Sequence, residues 1–263
     1  MEKIKIISWN ILCKQYCNEA SFPKALPVSL DWGMRKERLA AYLRANPVDL
    51  IYLTEVDTYQ EWCGPLLAEL GYRVIVELRS DVIAYRKPLV ISYKERIFYG
   101  EGAQFYIRID NPRFILFCTH LKSKPAHEGT RLAQATQLRK AVEPLLGNYN
   151  VAICGNFNDY PNSATLGILR GSEMVVLSNM IPMTSFKIRD TVDKGIKDYF
   201  LFAPSRICQK YEATVTTIDD ALVNRIDEER GLPNEDIGSD HLPLLLELET
   251  TMPRSRNQFN LMG

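Results

Sequence analysis

Four short apolar runs in this chain end in an amide, an acid or a histidine, and a fifth is opened by an acid-histidine pair. Ile6-Ile7-Ser8-Trp9 ends at Asn10, Leu50-Ile51-Tyr52-Leu53-Thr54 ends at Glu55, and the run from Phe114 to Thr119 ends at His120. Val151-Ala152-Ile153-Cys154-Gly155 ends at Asn156, with Asn158 two residues on, and Gly238-Ser239-Asp240-His241 opens the last run. Taken singly, such residues are ordinary turn and cap residues. If the runs are strands lying side by side, their ends converge on one rim. That set suits hydrolysis of a phosphate ester. A carboxylate such as Glu55 can hold Mg²⁺, a hard cation that takes oxygen ligands and neutralises charge on a phosphate. A histidine or an amide can donate hydrogen bonds to the phosphoryl oxygens as charge builds there. Asp240 beside His241 could act by chemistry or by orientation.

The elements that must position these residues are legible in outline. Lys3 to Trp9 reads as a strand with β-branched bulk at Ile4, Ile6 and Ile7. Trp32 to Ala45 has helical spacing and is stopped by Pro47. Leu50 to Thr54 is a short apolar run, and Thr58 to Leu70 reads as a helix ending at Gly71. Gln104–Ile109 and Arg113–Thr119 flank Asp-Asn-Pro and read as a hairpin. Leu132, Ala135, Leu138, Val142 and Leu145 recur at spacings of three and four, which predicts an amphipathic helix over Gly129 to Leu146. Tyr149–Cys154, Asp198–Phe202 and Leu242–Leu248 are further strands. The order predicts two β-sheets packed together with helices outside, in one domain over residues 1–250. Residues 251–263 are polar and Met-rich and are expected to form a loose tail.

Composition narrows the chemistry. The chain has 263 residues, 46% of them hydrophobic, enough for a sizeable core. Lys+Arg and Asp+Glu number 32 each, so no basic coat exists and phosphate must be met by a local cluster. The N-terminus has no signal-peptide pattern, and no run of about 18 apolar residues occurs. An intracellular, cytoplasmic protein that does not engage a membrane is expected, and a monomer. The six cysteines form no CxxC pair and read as buried thiols of a reducing compartment. With only three histidines, a clustered zinc site is not expected.

The motifs, in this order, resemble the five signatures of the endonuclease/exonuclease/phosphatase superfamily: Ser8-Trp9-Asn10, Leu53-Thr54-Glu55-Val56-Asp57, Thr119-His120-Leu121-Lys122, Cys154-Gly155-Asn156-Phe157-Asn158 and Gly238-Ser239-Asp240-His241. The resemblance spans residues 3 to 249. It implies a four-layer α/β sandwich of the DNase I type, with a Mg²⁺ site at one end that could also take Mn²⁺. It implies that Asn10 and Glu55 belong to the metal shell, Glu55 foremost, and that His120 and His241 stabilise the phosphoryl transition state. Asn158 would position the phosphate, Asp240 would orient the histidine and support the metal, and Asp198 resembles the family's Asp-Tyr strand element beside the substrate. Whether one or two metals bind stays open.

Within the superfamily the deadenylase branch is the nearest likeness. Asn10-Ile11-Leu12, Asp31-Trp32 with Arg35-Lys36 and Arg38, and Thr119 to Pro125 followed by Arg131 and Gln134 are similar to that branch. Thr184-Ser185-Phe186-Lys187-Ile188-Arg189 resembles its Thr-Thr-Trp-Lys-Ile-Arg element. The match implies that Lys122, Lys124, Lys187 and Arg189 meet substrate phosphates, Arg as a planar fork and Lys as a point charge, and that Arg131 belongs to the substrate-binding set. Phe186 and Pro125 would flank a base.

One departure matters most. Where the family has Gly-Asp-Phe-Asn, this chain has Gly-Asn156-Phe-Asn158, and an amide cannot take a proton from water. Two readings follow: an Asp-to-Asn variant made to keep substrate intact, favoured by the otherwise complete site, or a natural loss of activity leaving an RNA or nucleotide binder. A second departure is the short stretch from Arg79 to Gly102. The expected function is a Mg²⁺-dependent 3′-to-5′ exoribonuclease on RNA, of the poly(A) deadenylase type. A phosphatase of an adenine dinucleotide such as NADP(H) is the alternative, and a DNA-repair endonuclease ranks lower.

Overall fold

The computed structural model describes residues 3–78, 80–98, 103–111, 113–207, 211–218 and 220–250. The tail expected over 251–263, Cys208 and Pro112 lie outside the described residues, as do Arg79 and 99–102 of the short stretch. Its strands run in chain order β1 (Lys3–Asn10), β2 (Leu50–Thr54), β3 (Arg73–Leu78), β4 (Asp81–Tyr85), β5 (Val90–Phe98), β6 (Ala103–Asn111), β7 (Phe114–His120), β8 (Asn150–Asn156), β9 (Val175–Val176), β10 (Ser185–Ile188), β11 (Val192–Gly195), β12 (Asp198–Ala203), β13 (Tyr211–Thr216) and β14 (Leu244–Thr250). The helices are α1 (Pro27–Leu30), α2 (Trp32–Ala45), α3 (Gly64–Glu69), α4 (Glu128–Val142), α5 (Ala164–Arg170) and α6 (Asp220–Val223).

Two six-stranded mixed sheets form, in the orders β13-β14-β1-β2-β4-β3 and β5-β6-β7-β8-β12-β9, with β10-β11 as a separate hairpin. Each sheet has one parallel pair at its centre, β1 with β2 and β7 with β8, and the other pairings are antiparallel. A parallel pair needs a long crossover. Here α2 carries the chain from β1 to β2 and α4 carries it from β7 to β8.

Side-chain alternation then sorts the layers. Ile4, Ile6, Leu50, Tyr52 and Ile83 of the first sheet meet Leu116, Cys118, Ala152, Cys154 and Phe200 of the second in one shared core. The other face of the first sheet, with Ile7, Ile51 and Leu53, is covered by Leu39 and Leu43 of α2 and Leu67 of α3. The outer face of the second, with Ile115, Phe117 and Ile153, is covered by Leu138 of α4 and Leu169 of α5. The result is the four-layer α/β sandwich of the DNase I type that the motifs implied.

The helix expected over Thr58 to Leu70 begins with a wide π turn at Tyr59–Cys63 before α3, and Gly71 closes it at φ +79°. The amphipathic helix ends at Val142 and tightens into a 3₁₀ turn over Glu143–Leu145, because Pro144 has no N–H to continue it. Cys13, Cys17, Cys63, Cys118 and Cys154 are free and buried. No helix of the described residues is long and apolar enough to cross a membrane.

Gly155 is fixed by close approach. Its φ is +136°, and a Cβ there would lie 1.8 Å from the carbonyl oxygen of Thr119 on the neighbouring strand. Gly155→Ala is therefore expected to cost on the order of 3 kcal/mol or more by urea unfolding. Gly167→Ala, on the exposed side of α5 with nothing within 4 Å of the new methyl group, should instead be neutral or stabilising by up to about 1 kcal/mol.

Candidate active site

The alternation that buries Ile4 and Ile6 between the sheets carries Ser8 and Asn10 onto the same face. The same parity places Thr54 above Tyr52, His120 above Cys118 and Asn156 above Cys154. Asn10 pairs in register with Thr54, His120 with Asn156, and Asn156 with Asp198. The inter-sheet core is thus apolar in its depth and polar at one end, where both parallel pairs reach their carboxyl termini.

Glu55 sits just beyond β2 with φ +61°, and Leu12 and Asn158 are also left-handed, at +60° and +51°. Such backbone is strained in residues with a side chain and persists only when its surroundings enforce it. Around Glu55 they do. Asn10 Nδ2 donates to Glu55 Oε1 at 2.8 Å, the Cys13 N–H donates to Oε2 at 3.2 Å, and the Leu12 N–H is held by Asn10 Oδ1 at 3.0 Å. Asp57 accepts from the Lys14 and Gln15 amides at 3.0 Å each, so it is a loop cap.

The donor set fits Mg²⁺ better than zinc. Among the described residues no group of three His, Cys, Asp or Glu side chains converges as a metal cage. Mg²⁺ is commonly held by one or two carboxylates, its remaining positions going to water and substrate phosphate. Glu55 is partly exposed and is compensated only by neutral donors. Asn10 turns its amide nitrogen to Glu55 and its oxygen to Leu12, so in this arrangement it holds the carboxylate rather than offering an oxygen of its own.

The two histidines stand in different settings. His120 lies with Nε2 4.0 Å from Glu55 Oε1. Burial holds its pKa below the ordinary histidine value, against the pull of Glu55, so near neutral pH it is an uncharged donor. His241 is 1% exposed, and its Nδ1 lies 2.7 Å from Asp198 Oδ2, which places the ring proton on Nδ1 in the neutral form. Ser239 Oγ donates to the carbonyl of Asn10 at 2.7 Å and accepts from the His241 N–H at 3.1 Å, tying the last motif to the first.

Asp240 is not the partner of the histidine. Its Oδ2 meets Lys187 Nζ at 2.5 Å. Burial alone would raise the Asp240 carboxyl, but Lys187, His241 and Arg35 together hold it below the usual carboxylate range. Burial would likewise lower Lys187, and Asp240 overrides it, so Lys187 stays above its ordinary value. Both members of the pair are therefore charged.

The expected substrate residues divide. Lys124, Pro125 and Arg189 are exposed and Lys122 is half-buried. Arg189 Nε donates to the Ser21 carbonyl at 2.9 Å. Three assignments are corrected by the geometry. Phe186 cannot flank a base, because it shares a face of β10 with Ile188 and is fully buried in a cluster with Met183, Leu232 and Leu242. Arg131 is not open to substrate; it is 4% exposed, pairs with Asp159 at 3.1 Å, and donates to the carbonyls of Lys122 and Lys124 at 3.2 and 2.7 Å. Asp198, expected to bind substrate, has its Oδ2 taken by His241 Nδ1 at 2.7 Å, so it partners the histidine, the role expected of Asp240.

Arg35 was missed as a site residue. It is fully buried, with Nε donating to Gly238 O at 2.7 Å and Nη2 to the carbonyls of Ile11 and Leu12 at 2.9 and 2.7 Å. One arginine thereby fixes the loops after Asn10 and before Asp240. The signal was present: Arg35 lies four and eight residues before Leu39 and Leu43, a charge on the apolar stripe of α2.

No known family's sequence profile matches the chain. Human nocturnin is 23% identical over 288 residues, covering 94% of this chain and 65% of nocturnin. The Saccharomyces cerevisiae CCR4-Not complex 3′-5′-exoribonuclease subunit Ccr4 is 20% identical over 328 residues, covering 93% of this chain and 38% of Ccr4. The chain thus spans less than two thirds of the length of either relative. Among solved structures, ANGEL2, a 2′,3′-cyclic phosphatase in complex with adenosine-2′,3′-vanadate, superposes with a TM-score of 0.75 at 15% identity, covering 94% of this chain and 95% of that one. That likeness shows the same fold.

At the end of β4, Asp81 is 4% exposed and accepts from the Tyr52 hydroxyl at 3.0 Å. Burial pushes its carboxyl up to about 8. Between about pH 4 and 8 the folded chain therefore holds a proton that the unfolded chain has released. Stability should fall across that window as pH rises, by up to about 1.4 kcal/mol per pH unit. Urea titrations at pH 5 and pH 8 should show this slope, and Asp81→Asn should flatten it.

Proposed function

We propose that the chain is a nocturnin-like member of the endonuclease/exonuclease/phosphatase superfamily, on its deadenylase branch, and that its site is built for Mg²⁺-dependent hydrolysis of a phosphodiester. The substrate is RNA, shortened from its 3′ end, with a poly(A) tail the preferred form. The observation that carries this reading is the convergence of Glu55, His120, Asn156 and the Asp198-His241 pair on one end of the inter-sheet core. Glu55, steadied by Asn10, would hold the metal, which when bound supplies charge neutralisation to the phosphate.

The remaining work falls to the chain's own groups. Neutral His120 donates a hydrogen bond to a phosphoryl oxygen. Asp198 fixes the tautomer and direction of the His241 ring, so that its Nε2 faces the developing charge. The Asn158 N–H and Leu121 carbonyl are engaged by Asn156 Oδ1 and Asn158 Nδ2, at 2.8 and 2.9 Å, which makes this turn a rigid shelf for the phosphate. Lys122, Lys124 and Arg189 supply positive charge at the mouth.

Asn156 determines how far the reaction runs. Its Oδ1 is taken by the Asn158 N–H, so the other terminal atom is the one left to meet water. In this chain that atom is an amide nitrogen, which carries hydrogens and accepts none. With aspartate it would be an oxygen able to draw a proton from the attacking water. The chain as it stands is therefore a slow hydrolase that retains its grip on substrate. That same feature supports a second reading, a nucleotide-binding protein without turnover.

The test compares this chain with Asn156→Asp, in Mg²⁺, on 5′-labelled oligo(A), mixed-sequence RNA and NADPH. The variant is expected to shorten oligo(A) stepwise from the 3′ end, with a rate gain of roughly 10²–10⁴, the usual range for a general base. Phosphate release from NADPH with RNA intact would move the substrate to an adenine dinucleotide. Equal inertness of both proteins on all three would leave the binding-protein reading.

A further inference from the structure

The carboxylates around the site are not equivalent, and the difference bears on how many cations it can take. Asp198 is engaged by His241, Asp57 caps two backbone amides, and Asp159 is paired with Arg131. Asp193, on the neighbouring hairpin, is bound by Lys197 and by the Tyr160 hydroxyl. Asp240 is buried to 1% exposure, and Oδ2, which has no hydrogen-bond partner besides Lys187 among the described residues, faces the Lys187 ammonium at 2.5 Å. Glu55 differs from the paired carboxylates, since its hydrogen-bond donors are an amide side chain and a backbone N–H, with His120 Nε2 4.0 Å away.

Lys187 reaches Asp240 because of strand parity. Phe186 and Ile188 bury one face of β10, so Lys187 leaves from the other, and β10 is tied to the last motif by the Phe186 N–H on the Asp240 carbonyl at 3.2 Å and the Leu242 N–H on the Thr184 carbonyl at 2.8 Å. The Lys187 side chain keeps 21% of its surface exposed, so its charge is fixed in place and still faces the site. The negative charge of Glu55 acts on its ammonium as well.

We propose that Lys187, held by Asp240, is a built-in second cation of this site, so that the chain loads a single divalent metal at Glu55 and supplies the other positive charge from its own side chain. The proposal rests on the reading of Glu55 as the metal-holding carboxylate. Its physical basis is that a carboxylate already neutralised by an ammonium offers a divalent ion little net charge, and displacing that ammonium would leave a buried cation unpaired. A lysine also cannot be chelated away, so one part of the charge stabilisation persists at any metal concentration.

The experiment counts bound Mn²⁺ on the full chain by isothermal titration and by loss of the free Mn²⁺ paramagnetic resonance signal, neither of which needs turnover. The chain as it stands is expected to bind one Mn²⁺, and Glu55→Gln none. Lys187→Met should acquire a second, weaker Mn²⁺ that Lys187→Met with Asp240→Asn loses again, while Lys187→Arg should keep one. Circular dichroism of each variant confirms folding. Two Mn²⁺ on the unaltered chain would overturn the proposal and leave the phosphodiesterase reading intact, which separates the two, and this result requires no variant to fold. No Mn²⁺ on the unaltered chain would overturn both. One Mn²⁺ on folded Lys187→Met would overturn the claim that Lys187 excludes the second ion.

Discussion

The alternation of side chains along strands that pack face to face is the constraint on which this structure depends. Two sheets can bury a common core only if every second residue of each central strand is apolar and points inward. Ile4 and Ile6, Leu50 and Tyr52, Leu116 and Cys118, Ala152 and Cys154, and Phe200 and Phe202 meet that requirement. Once they do, Asn10, Thr54, His120, Asn156 and Asp198 have no choice of face. The site is the place where the inward parity continues past the end of the apolar core.

A second regularity links the two halves. Each central parallel pair is joined by a helix, and each helix turns a buried arginine back onto the loop that leads into it. Arg35 of α2 binds the carbonyls of Ile11 and Leu12, just after Asn10. Arg131 of α4 binds the carbonyls of Lys122 and Lys124, just after His120. Both arginines sit on the apolar stripe of their helix and satisfy backbone oxygens that would otherwise be buried without partners. They make the loops that carry chemistry as well determined as the strands.

Ion pairs complete the arrangement. A buried pair gains little net stability, because desolvating both charges costs about as much as their attraction returns. The Lys187-Asp240 and Asp198-His241 pairs are therefore better understood as devices of position. One fixes a positive charge beside the polar row, the other fixes a ring, and the hydrogen bonds that hold Glu55 come from neutral donors. The strained backbone at Leu12, Glu55 and Asn158 belongs to the same economy, since hydrogen bonds around each of them hold it.

Local pattern was enough to find most of the elements. The spacing of Leu39 and Leu43, the runs at Leu50–Thr54 and Val151–Cys154, and the stops at Pro47 and Gly71 act over a few residues, and so they can be read from the chain directly. The order of five short motifs was enough for the fold class, and for placing Asn10, Glu55, His120 and Asn156 at strand ends. Partnership was not legible. Whether Asp198 or Asp240 holds His241, whether Lys187 meets substrate or a carboxylate, and whether Phe186 faces solvent or core depend on which faces of distant strands come together. Those partners lie 43 and 53 residues apart in the pairs His241-Asp198 and Asp240-Lys187. The sequence alone determined which residues stand at the ends of its strands, because periodicity is local. The tertiary structure decided which of them touch, because contact depends on the register and packing of whole sheets.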